Sequence, residues 1–155
     1  MPKRAAPVPQ DPDFARRVAE SFARQGAMAH LGAELASVKP GAVEIRLPYR
    51  AEVSQQHGFF HGGVVATIGD NAGGYAAFTL MPGDASILTV EYKINLVAPA
   101  KGEALVARGR VVKPGRTLTV TAVEVFAVEG GRETLCAVMQ QTLICLRGKP
   151  DAPAG

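Results

Sequence analysis

The sequence predicts an α+β fold: a run of antiparallel strands with one buried helix among them and one helix before them. Three observations carry that prediction. Leu88, Val90, Tyr92, Ile94 and Leu96 alternate with Thr89, Glu91, Lys93 and Asn95, the period of two that a strand imposes. Residues 62–79 (GGVVATIGDNAGGYAAFT) do not alternate and are rich in Ala and Gly, the composition of a helix packed with its backbone close to a sheet. The β-rich runs 104–112, 117–128 and 134–146 are separated by Lys113-Pro114-Gly115 and Gly130-Gly131, short connectors that make neighbours antiparallel.

Taken in chain order, Asp11, Pro12 and Asp13 form an N-cap, a first helical position and an acidic first turn. Phe14, Val18 and Phe22 recur at i+4 with Ala15 and Ala19 beside them, so a first helix is expected from Asp11 to near Gly26. Residues 31–38 are a weaker strand candidate before the turn at Pro40-Gly41. Val43, Ile45 and Leu47 alternate with Glu44 and Arg46 in a strand that Pro48 closes. The glycines at 62, 63, 69, 73 and 74 oppose helix by propensity, so the central helix needs a tertiary reason for them. From Leu88 onward the strands read as one long meander. Cys136 and Cys145, nine residues apart in one strand, are expected on opposite faces, unpaired and buried. Residues 1–10 and 148–155 have little to bury and are expected to be flexible, leaving 11–147 as a single domain.

Composition narrows the function. The chain has 155 residues, 47% hydrophobic and 20% charged, ordinary values for one globular domain. No window approaches the ~20 apolar residues of a spanning helix, and Met1-Pro2-Lys3-Arg4 leads into Pro-rich polar chain, not a secretory core. A cytoplasmic protein with no membrane partner is expected. The net charge of +3 is modest and not gathered in one run, which gives no footprint for nucleic acid. There is no Gly-x-Ser-x-Gly elbow, phosphate loop, dinucleotide fingerprint or His-Glu-x-x-His. The spacing of His57, His61 and Asp70 matches no metal pattern, so no metal is expected.

The chemistry-bearing stretch is Gln55-Gln56-His57-Gly58-Phe59-Phe60-His61-Gly62-Gly63, with Asp70 after it. N–H groups in the first helical turn lack intrahelical partners and carry the positive end of the helix dipole, so Gly62 and Gly63 can meet a developing oxyanion closely. Asp70 is a carboxylate on a helix of small and apolar residues, a costly place for a charge without a task, and so the candidate base or nucleophile. His61 has two readings, a catalytic ring or a helix cap. His57 reads as structural, His30 has no role, and Phe59 either lines an acyl pocket or packs. Gly62 and Asp70 lie eight residues apart, ~12 Å along a helix, whereas donor and attacking group must both come within ~3–4 Å of one carbonyl carbon. If both act on one substrate, a two-fold partner supplies one of them, which requires a dimer with its sites at the interface.

The order Gln55-x-x-Gly58-x-x-His61-Gly62-Gly63 with Asp70 following resembles the hotdog-fold acyl-CoA thioesterases of the PaaI-like and 4-hydroxybenzoyl-CoA thioesterase group. The similarity continues through Thr89-Val90-Glu91-Tyr92-Lys93-Ile94-Asn95, Pro99-Ala100 and Lys113-Pro114-Gly115-Arg116-Thr117-Leu118. It implies a curled antiparallel sheet wrapped around a long central helix, in a homodimer that pairs again into a dimer of dimers. It further implies that Asp70 activates water or attacks the thioester, that the Gly62 N–H polarises the carbonyl, and that His61 and Gln55 orient carbonyl or water. Gln55 stands where many relatives carry Asn. Thr89 matches a hydroxyl that helps hold the water, and Gly74 falls where the benzoyl-type branch has a Thr, which favours the phenylacetyl-type branch. Lys113 and Arg116 lie in a turn that can meet the anionic CoA tail, with CoA as part of the substrate and no separate cofactor. The rival expectations are an acyl-thioester hydratase or dehydratase of the same fold, and a non-catalytic acyl-CoA binding protein.

Overall fold

The structure is a computed structural model and describes residues 6–153. Its elements are α1 (Phe14–Ala23), α2 (Gly26–Leu31), β1 (Glu34–Lys39), β2 (Ala42–Pro48), a 3-10 turn (Ala51–Val53), α3 (Gly62–Phe78), β3 (Ser86–Leu96), β4 (Ala104–Lys113), β5 (Leu118–Glu129) and β6 (Arg132–Leu146). The six strands form one antiparallel sheet in the order β1-β2-β4-β5-β6-β3. It curls around α3, whose Val65, Ile68, Ala72, Tyr75 and Phe78 are buried with Ile45, Leu47, Leu105, Val125 and Leu143.

The glycine-rich helix persists because packing outweighs propensity. Each interior glycine costs about 1 kcal/mol relative to alanine, whereas each large apolar side chain that α3 buries contributes about 1.5–3 kcal/mol. The glycines also permit close approach. A Cβ on Gly109 of β4 would lie 2.3 Å from the Ala72 carbonyl oxygen, and one on Gly73 would lie 2.2 Å from Gln141 Oε1. At Gly109 strand and helix backbone therefore meet with no side chain between them, and at Gly73 the missing side chain makes room for that of Gln141, the tertiary reason that the composition calls for.

The structure corrects the sequence expectations at five places. The first helix begins at Phe14, because the Asp11 carboxylate accepts the Asp13 N–H at 2.9 Å and its carbonyl accepts that of Phe14, forming a turn ahead of the helix. The same helix stops at Ala23. The backbone becomes extended at Gln25, so Gly26 opens a second helix, which ends at Gly32 in the left-handed region. That second helix takes Leu31, and β1 starts only at Glu34. The meander covers β4, β5 and β6 alone, with β3 paired to β6 at the far edge. Residues 97–103 cross three strand spacings, ~14 Å, which seven residues at ~3.3 Å each span easily. Finally, Cys136 and Cys145 are both buried and unpaired, but not by simple alternation. A register shift at Val125/Phe126 makes Cys136 an extra residue of β6 and resets the phase. Its thiol donates to Val125 O, and burial pushes its pKa up to about 11, which keeps it protonated.

α1 is fastened to the end of α3 by Arg17. Its guanidinium donates to Phe78 O at 3.0 Å, to Met81 O at 2.8 Å and to Pro82 O, lies 3.4 Å from the Asp11 carboxylate, and sits over the Phe78 ring. A cation there satisfies carbonyls that the helix leaves open and complements the negative end of its dipole. Burial lowers its pKa while the Asp11 charge opposes that shift. Arg17→Met keeps the stem but leaves the carbonyls without their donor and Asp11 without its ion-pair partner. Unfolding by denaturant is expected to show a loss of about 2–3 kcal/mol, and an unchanged midpoint would refute the capping role.

Candidate active site

The segment before α3 is tied down on both sides. Gln55 N–H donates to Phe59 O and Gly58 N–H to Gln55 O, each at 2.9 Å, with Gly58 at φ 79 closing the turn. Phe60 N–H reaches Ala100 O and His61 N–H reaches Val53 O. The Phe60 ring is buried edge-on against Tyr49. The Gln55 side-chain carbonyl accepts the His57 N–H, so that oxygen serves the turn and the amide N–H₂ is its remaining donor.

His61 is the N-cap of α3, with Nδ1 accepting the Gly63 N–H at 2.9 Å. The capping reading is thus realised, and a neutral ring accepting at Nδ1 carries its proton on Nε2. The cap also separates the two glycines. Gly63 has its N–H engaged, whereas the Gly62 N–H has no hydrogen-bond partner among the described residues and stands at the positive end of a 17-residue helix.

Asp70 lies two turns on, half-buried, where α3 faces β3 and β6. Its Oδ1 accepts the Thr89 hydroxyl at 2.7 Å and the Gln141 amide at 3.0 Å. No described residue donates to Oδ2, and Asp70 lines a cleft. That cleft, about 640 Å³, is lined by Asp70, Thr89, Gly74, Tyr75, Leu88 and Leu143, among others. Tyr75 accepts from Gln25 and shares a hydrogen bond with Ser21 at its α1 wall. Residues 151–153 line the same cleft, with Asp151 bonded to Arg24 at 2.6 Å. Of the two segments expected to be flexible, residues 6–10 and 148–153 are described here; residues 1–5 and 154–155 lie outside the described residues.

One chain therefore holds two separate half-sites. Gln55, Phe59 and Gly62 line a second cleft with Leu96, Val97 and Cys136, and share no wall with the cleft of Asp70 and Thr89. Along α3 the two are ~12 Å apart. Arg116 joins neither half in its own chain: it sits beside Ala77, Leu80 and Met81 at the opposite end of α3, and Lys113 ends β4 at the same turn. Among the described residues no group of three or more His, Cys, Asp or Glu gathers as a metal site, and no helix is long and apolar enough to cross a membrane.

Gln141 is the site residue that sequence reasoning missed. It is wholly buried in β6, on the face that carries Ala137, Met139 and Leu143. A lone amide among apolar residues on one face of a strand was its only signal.

A curled antiparallel sheet wrapped around a long central helix is the architecture of the hotdog-fold thioesterases. The chain belongs to the Thioesterase superfamily, whose family model matches residues 57–134, and is a thioester hydrolase. A crystal structure of a thioesterase family protein from Silicibacter pomeroyi is 50% identical to it, with a TM-score of 0.86 over 87% of this chain and 99% of that one. Human acyl-coenzyme A thioesterase 13 is 34% identical over 91 residues, 58% of this chain and 64% of that protein. The E. coli PaaI protein from the phenylacetic acid degradation operon shares the fold at 17% identity, with a TM-score of 0.78 over 89% of this chain and 96% of that one.

Proposed function

We propose that this protein hydrolyses an acyl-CoA thioester, phenylacetyl-type or short to medium chain, to the free acid and CoA. The observation that carries the reading is the pairing of a carboxylate held by two donors on one oxygen with an unengaged helix N-terminal N–H. Asp70 Oδ2 either takes a proton from water as it attacks the carbonyl, or attacks that carbon itself to form an acyl-enzyme anhydride that water then hydrolyses to the acid. The Gly62 N–H receives the oxyanion, and the thiolate of CoA leaves and is protonated. Gln55 and the Nε2–H of His61 orient the carbonyl or the water, while Phe59 and Gly63 line the entry beside them.

The separation of the half-sites supports a homodimer in which each site takes Asp70 from one chain and Gly62 from the other; the pairing of dimers into a tetramer rests on the resemblance alone. The β3 edge supports the same assembly. Leu88 and Leu96 are 60% and 58% exposed there, and Val90 and Tyr92 beside them are also exposed. An uncovered apolar edge strand is a pairing surface. A second copy docking along β3 also arrives at the Asp70 cleft, since Leu88 and Thr89 belong to both. Lys113 and Arg116 would then meet the CoA phosphates from outside their own chain's clefts. The hydrolysis itself calls on no metal and no redox cofactor, and a CoA substrate with two unpaired cysteines fits the cytoplasm.

The test is thiol release from a panel of aromatic, short, medium and long acyl-CoA thioesters. Turnover concentrated in the aromatic or short to medium members is expected. Release from none of them by folded protein would move the reading to the hydratase or the non-catalytic binder.

A further inference from the structure

Thr89 alone does not orient Asp70; the second donor comes from the neighbouring strand, β6. Gln141 Nε2 lies 3.0 Å from Asp70 Oδ1 and 3.2 Å from the main-chain oxygen of the same residue. Because both acceptors belong to Asp70, the amide ties the carboxylate to its own stretch of helix and so restricts its side-chain torsions. We propose that Gln141, passing through a slot opened by Gly73, is a positioning residue that holds Asp70 with Oδ2 turned to the thioester. This rests on Asp70 being the reacting carboxylate.

The slot is physical. A Cβ at position 73 would sit 2.2 Å from Gln141 Oε1, 2.8 Å from its Cδ and 2.8 Å from Thr121 Oγ1. Any side chain there would displace the carboxamide or α3 itself. Thr121 faces Gln141 directly across the β5–β6 ladder, so the amide is walled in by the strand behind and the helix in front. Its Oε1 and the Thr121 hydroxyl are buried with no hydrogen-bond partner among the described residues. Leucine or methionine would fill that space without an unpaired buried acceptor. What glutamine adds is the N–H₂ aimed at Asp70. Two donors on one carboxylate oxygen, one from edge strand β3 and one from β6, leave the other oxygen as the acceptor for water or the attacking atom.

The experiment compares Gln141→Met, Gly73→Ala, Gln141→Ala and the double variant Gly73→Ala/Gln141→Ala as full-length protein, measuring kcat, KM and Tm on the best acyl-CoA of the panel. Gln141→Met keeps length and removes the donor. It is expected to keep or raise Tm, leave KM unchanged and lower kcat about 10- to 100-fold. Gly73→Ala, which pushes the amide aside, should lower kcat comparably, yet cost far less once Gln141→Ala has removed the carboxamide and left only the Thr121 hydroxyl, 2.8 Å from the new Cβ. A folded Gln141→Met with wild-type kcat would overturn the proposal, as would independent, multiplying losses in the double variant. If Gln141→Met does not fold, the Gly73 and Gln141→Ala cycle decides. Full turnover by Asp70→Asn would sink the assignment of Asp70 and this inference with it; an inactive Asp70→Asn beside a fully active Gln141→Met would sink this inference alone.

Discussion

Asp70→Asn is expected to lower kcat about 10²–10⁴-fold, the range that a positioned base or nucleophile contributes, while leaving KM and folding nearly unchanged. The substitution is well suited to this site. Both donors converge on Oδ1, from the Thr89 hydroxyl at 2.7 Å and the Gln141 amide at 3.0 Å, and an asparagine carbonyl oxygen can accept both, though without the carboxylate's charge. The new NH₂ then falls at the open Oδ2 position, so the one thing lost is the basic or nucleophilic oxygen. Asn71 and Gly74 beside it are untouched, so the cleft keeps its shape. The measurement is steady-state thiol release, with binding of a non-hydrolysable thioether analogue as the control for the pocket. Loss of turnover with retained binding places the carboxylate in the chemical step. Equal loss of both would make Asp70 a packing residue, and unchanged turnover would remove it from the mechanism.

How legible this site was in the sequence follows from which of its parts are local. The strand at Leu88–Leu96 and the Gly/Ala helix α3 formed where their patterns lay, although a register shift between Thr89 and Glu91 interrupts the alternation within β3. The His61-Gly62-Gly63 cap is likewise local, because the three groups it joins are adjacent. What sequence could not show is which strand lies beside which. β3 pairs with β6 because seven residues are long enough to cross the sheet's end, a choice made by tertiary contacts and not by turn chemistry. The same limit hid Gln141. In Cys136-Ala137-Val138-Met139 both faces of β6 read as apolar, so the phase of the following Gln140-Gln141 pair is ambiguous until the bulge at Cys136 is known. The bulge turns Gln141 inward toward Asp70 and leaves Gln140 exposed.

Removing the oxyanion donor is the second large effect, and it also decides whose chain supplies it. Gly62 is the first helical residue of α3, where proline fits without breaking a helical hydrogen bond, since its missing N–H has no intrahelical acceptor. Its added Cβ would meet only Leu96 Cδ1, at 2.9 Å, the end of a flexible and largely exposed side chain. Gly62→Pro therefore deletes one N–H from an otherwise intact helix start and is expected to lower kcat about 10²–10³-fold, as loss of an oxyanion donor does. Paired with Asp70→Asn, it tests the shared site. In a mixed dimer of the two variants, one of the two sites combines both defects. The other combines an intact Asp70 from the Gly62→Pro chain with an intact Gly62 from the Asp70→Asn chain. Random mixing makes about half the dimers mixed, each with one working site of two, so unfolding and refolding the two inactive proteins together should restore about a quarter of wild-type activity. If Asp70 and Gly62 of one chain acted on one thioester, every site in the mixture would carry a defect. Activity would then stay at the level of the separate variants, whatever the dimer content measured by light scattering.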